Sequence, residues 1–99
     1  MFEKNALFYM ANVEPEISRM FRAFDSGNTE NANKFRDRTI TMIDSALSFP
    51  DISAGGHTEW TTLRLMINNY NKLDPYARKL VLSYGIPFSI KFAKQLQTM

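Results

Sequence analysis

Ninety-nine residues suffice for one hydrophobic core and not for two, so the chain reads as a single domain over 1–99. With 44% hydrophobic and 22% charged residues it has a globular rather than a disordered composition. It has no cysteine, which excludes a disulfide framework, a thiol nucleophile and any thiolate metal site; the formal net charge is only +2.

The first predicted helix covers residues 2–12, apolar on nearly every side. Its run Ala6 to Ala11 is the longest apolar stretch, far below the ~20 residues a membrane-spanning helix needs. It also lacks the layout of a signal peptide, so no membrane span is expected and a soluble, cytoplasmic protein is. Asn12 reads as the cap of a second helix with Pro15 in its first turn. That helix would carry Ile17, Met20, Phe21 and Phe24 inward and Glu16, Arg19 and Arg22 outward, with Gly27 as its stop.

A third helix is predicted over 29–48. Ala32, Phe35, Thr39, Met42, Ile43, Ala46 and Leu47 fall on one side, and Glu30, Lys34, Asp37, Arg38, Thr41, Asp44 and Ser45 on the other. A loop from Phe49 to His57 follows, broken by Pro50 and Gly55-Gly56, with Thr58 as the expected cap of the next helix. Over 58–73 the inward stripe is Trp60, Leu63, Ile67 and Tyr70, with Met66 and Leu73 at its margin. Asp74-Pro75 signals a restart, a capping carboxylate followed by proline at the first helical position. Ala77, Leu80, Val81 and Tyr84 form the next stripe up to Gly85. Pro87 opens a last helix that would bury Phe88, Phe92 and Leu96. No strand pattern occurs. The expected fold is all-α, a compact bundle of about five short-to-medium helices, antiparallel because short turns bring successive helices back as neighbours.

Catalytic and metal-binding signals are thin. His57 and Glu59 are the only acid/base pair the pattern offers, and His57 has neither an orienting partner nor a nucleophile beside it in sequence. Gly55-Gly56-His57-Thr58 precedes a helix, yet no strand comes before it and no Gly-Lys-Ser/Thr after it, so it reads as a turn with a cap rather than a phosphate loop. Glu30, Asp37 and Asp44 share a stripe, but seven residues of helix separate neighbours by about 10.5 Å, too far to share one ion. No catalytic residue, metal site or cofactor is assigned, and no small-molecule substrate is indicated.

Charge is unevenly spread along the chain. Residues 1–59 hold six Lys/Arg against nine Asp/Glu, a net of −3, whereas residues 60–99 hold six against one, a net of +5. Arg64, Lys72, Arg78, Lys79, Lys91 and Lys94 are therefore the candidate contacts to an anionic partner, nucleic acid included. Leu65 and Leu82, apolar residues on otherwise polar faces, are candidate contacts to a protein partner or to a second copy. A helix-turn-helix over 75–97 with Gly85 at the turn fits poorly, since Lys91 and Lys94 would fall in inward-packing positions.

Lys72-Leu73-Asp74-Pro75 and Leu80-Val81 open the late helix of a cysteine-free, slightly basic chain of about this size. In size and helix layout it resembles the small immunity proteins that protect bacteria from pediocin-like bacteriocins. That resemblance implies a helical bundle and a protective role, and assigns no residue. The leading expectation is a small non-enzymatic interaction or regulatory protein, with a nucleic-acid-binding accessory protein as the alternative.

Overall fold

In a computed structural model, residues 5–50 and 52–84 are described. They form four α-helices and one short turn of 3-10 helix: α1 (Ala6–Asp25), α2 (Thr29–Leu47), α3 (Ala54–Asn68), the 3-10 turn Tyr70–Lys72, and α4 (Pro75–Tyr84). No strand occurs among them, and the fold is an all-α bundle. The predicted helix after Pro87 lies outside the described residues.

The two helices expected before Gly27 are one. Asn5 caps α1, its side chain accepting from the Phe8 amide at 3.0 Å, and Asn12 instead donates back to the Phe8 carbonyl at 2.6 Å within the helix. Ala6, Met10, Val13, Ile17 and Met20 are all buried and recur at steps of three and four, so one stripe runs straight through Pro15. An interior proline costs about 3 kcal/mol. Burying Val13, Ile17 and Met20 returns about 1.5–3 kcal/mol each, and packing wins.

The turn between α1 and α2 is set by backbone chemistry. The Gly27 amide bonds the Phe24 carbonyl at 3.0 Å and the Asn28 amide bonds the Ala23 carbonyl at 2.9 Å, the paired closure that ends a helix through a left-handed residue. Gly27 supplies that residue at φ 83, and Asn28 at once caps α2 by accepting from the Asn31 amide at 3.2 Å. A Cβ at Gly27 would meet no atom within 4 Å, so Gly27→Ala carries backbone strain alone. It is expected to lower stability by about 1–2 kcal/mol in thermal unfolding. A loss indistinguishable from zero would mean the turn does not require positive φ.

Cross-chain contacts fix the topology. Glu16 faces Arg38, and farther from the turn Tyr9 stacks near Phe49, so α2 returns antiparallel to α1. Asp44 meets Arg64 and Asn33 accepts from the Tyr70 hydroxyl at 2.7 Å, so α3 returns antiparallel to α2. α4 comes back to the far end of α1, where Arg78 reaches Asp25. The core runs along this assembly: Val13, Ile17 and Met20 of α1, Ala32, Ile43 and Ala46 of α2, Trp60, Leu63 and Ile67 of α3, then Tyr70 and Val81.

α3 starts earlier than its sequence suggests. Ser53, not Thr58, is the cap, its hydroxyl accepting from the Gly56 amide at 3.0 Å. Thr58 lies inside the helix and donates to the Ala54 carbonyl at 3.1 Å, so the two glycines and His57 belong to the first turns of α3 rather than to a loop. The predicted Trp60, Leu63, Ile67 and Tyr70 stripe is buried throughout. At the next restart Asp74 accepts from the Ala77 amide at 2.8 Å, the expected cap before Pro75.

Candidate functional site

The predicted basic set does not form one free patch. Arg64 grips Asp44 with two donors, Nε at 2.6 Å and a terminal nitrogen at 3.2 Å from separate carboxylate oxygens. Hydrogen bonding to Asp44 raises the Arg64 pKa above its already high value, with slight burial opposing and the Asp44 charge reinforcing it, so the charge is permanent. Arg78 donates to both oxygens of Asp25 at 2.8 and 2.9 Å, with its guanidinium 4.9 Å from the Phe21 ring centre and 5.6 Å from that of Phe24. An anion reaching either arginine competes with a carboxylate already in place. Lys72 and Lys79 are exposed and make no ion pair among the described residues; Lys91 and Lys94 lie outside them.

α4 differs from its predicted stripe. The Arg78 side chain turns inward over the two aromatic rings, and the face that the short helix buries is shifted from the predicted one. Leu82 therefore packs against the core instead of facing out, and Leu80, expected inside, is 41% exposed. Among the described residues Tyr76 is the most exposed large apolar one at 73%, and Leu65 on α3 follows at 64%, as its polar-face position predicted. Tyr76 and Leu80 lie one turn apart, with Lys79 at the position that shares their face.

His57 and Glu59 are both exposed on α3, and neither side chain has a hydrogen-bond partner among the described residues. No group of three His, Cys, Asp or Glu side chains that could hold a metal ion occurs among those residues. None of the described helices is long and apolar enough to cross a membrane.

A second charged constellation sits where sequence reading did not look. Glu16, expected on the outer face of its helix, is buried at 4% exposure. Its Oε1 accepts from Arg19 at 2.9 Å and from Arg38 of α2 at 3.3 Å, while Oε2 is buried without a hydrogen-bond partner. Both arginines remain open to solvent, with 53% and 61% of their side chains exposed. Beside them an open cleft of about 290 Å³ runs along the α1–α2 turn, lined by Arg19, Arg22, Ala23, Ser26, Asn28 and Phe35. Arg38 stacks 5.7 Å from the Phe35 ring centre. Totalling charge by halves of the chain hides this group, because it lies in the half with a net of −3. Folding the two predicted helices back about Gly27 would have revealed it, since that operation sets 16 opposite 38 and 19 opposite 35.

Matched against protein-family models, curated proteins and solved structures, the chain finds no counterpart in any of the three.

Proposed function

We propose that this is a small non-enzymatic interaction protein that engages a protein partner through the outer face of α4. The observation that carries the reading is the Tyr76–Leu80 pair, two large apolar side chains held in water one helical turn apart. Tyrosine is among the residues that dominate interface energetics, and burying a leucine contributes about 1.5–3 kcal/mol. Lys79 on the same face and Lys72 just before the helix add positive charge without a carboxylate partner among the described residues. A surface of this kind suits a partner offering an apolar groove edged by acidic groups.

The test compares the wild-type chain with a Tyr76→Ser/Leu80→Ser variant. Complexes would be sized by light scattering over a concentration series, and co-purified from the native source with quantitative mass spectrometry. Both substitutions are on the surface, so stability should change by no more than about 0.5 kcal/mol each. The expected result is a stoichiometric complex, with another protein or with a second copy, that the double variant loses while keeping its helix content. A complex that survives both substitutions would move the contact off α4. Monomer alone at every concentration, with no stoichiometric companion, would overturn the interaction reading.

A further inference from the structure

We infer that the cleft at the α1–α2 turn binds the phosphate of a nucleotide unit through Arg19 and Arg22, with Phe35 as its apolar wall. Charge is the first argument. Arg19 and Arg38 share a single carboxylate oxygen of Glu16, and Arg22 has no ion-pair partner among the described residues. Three other acidic groups of this end pair with their own cations: Asp25 with Arg78, Asp37 with Arg36 and Glu30 with Lys34. No acidic side chain lines the cleft itself. An anion entering there meets Arg22, which has no carboxylate partner among the described residues, whereas Arg64 and Arg78 each hold one.

Geometry is the second argument. Arg19 is tethered by Glu16, which restricts its guanidinium before any ligand arrives, and Arg22 follows one turn later on the same helix. Planar guanidiniums offer paired donors that match phosphate oxygens. Phe35, with the Arg38 guanidinium over its ring, supplies the apolar wall against which a base or sugar rests. The pairing of arginine with an aromatic wall is one used for nucleotides and single strands. The volume is at the lower edge of the roughly 300–1,000 Å³ typical of ligand sites, which favours one nucleotide unit over a larger ligand.

The experiment is an amide-shift NMR titration of the full chain with inorganic phosphate, AMP and a short oligothymidylate, at about 50 and 150 mM salt. The expected result is saturable shifts at Ala23, Ser26 and Asn28, with AMP binding more tightly than phosphate. Arg22→Gln, an exposed position that the fold does not depend on, should weaken AMP about tenfold, and Phe35→Leu about threefold. Arg64→Gln removes the same charge at a distance and should change affinity less than about twofold. Oligothymidylate binding well above AMP would identify the unit as part of a strand, and AMP binding alone would identify a free nucleotide; both support the site. No saturable shift with any probe, no advantage of AMP over phosphate, or equal weakening by Arg22→Gln and Arg64→Gln would overturn it.

Discussion

Trp60→Ala is expected to lower the stability of the fold by about 3–5 kcal/mol, the usual cost of truncating a large aromatic side chain inside a core. Trp60 is fully buried, and it is the first inward residue of α3 after the Ser53 cap. It belongs to a buried core to which α1, α2 and α4 also contribute side chains. A chain of this size has about 5–15 kcal/mol of stability in all, so the variant should be close to unfolding at growth temperature. Urea denaturation followed by far-ultraviolet circular dichroism measures the loss without relying on the fluorophore that has been removed. Leu65→Ala, 64% exposed on the same helix, should change stability by no more than about 0.5 kcal/mol. If the two substitutions cost the same, Trp60 does not hold the helices together.

Glu16→Met is expected to leave stability unchanged or raise it, while Glu16→Ala lowers it by about 1–3 kcal/mol. The carboxylate pays desolvation on both oxygens yet is hydrogen-bonded through Oε1 alone. Methionine fills nearly the same volume with no buried charge. Losing one partner of a buried ion pair normally costs much because the other stays buried and unpaired. Here Arg19 and Arg38 are more than half exposed and can return to water. The same substitution removes a negative charge beside the cleft but also the tether that holds Arg19, and these changes oppose each other, so AMP affinity should change by less than about threefold in the methionine variant. Denaturation and the AMP titration read the two effects separately. A methionine variant destabilised by more than about 3 kcal/mol would show that the ion-pair cluster holds the helices together.

Much of the helical framework was legible residue by residue. The fully buried positions of α2, Ala32, Thr39, Ile43 and Ala46, are among those its spacing selects. Glu30, Lys34, Asp37, Arg38, Thr41 and Asp44 of the predicted polar face are exposed, while Ser45 is half-buried, as are Asn33, Arg36 and Ile40. The α3 stripe and the Asp74-Pro75 restart likewise follow from local pattern and capping chemistry. Local signals misled where two of them competed. At Asn12 and Pro15 a plausible cap outweighed a periodicity that continued through it, and at Ser53 and Thr58 two hydroxyl residues could each have started the helix. The exposed Leu65 was visible in advance; the exchange of Leu80 for Leu82 was not, because a helix of ten residues carries too few periodic positions to fix its rotation against the core.

Composition and spacing by themselves determined that the chain is helical, that its helices fold back on one another, and which side of α2 and α3 turns from water. Each of these depends on residues three or four apart, and the hydrophobic effect acts on them without regard to their eventual neighbours. Tertiary structure decided the fate of the charges: Glu16 buried between Arg19 and Arg38, Arg64 held by Asp44, Arg78 held by Asp25. Three of these contacts join residues 22, 20 and 53 positions apart. A side chain's ionic partner depends on the register and rotation of whole helices, and no local pattern carries that information.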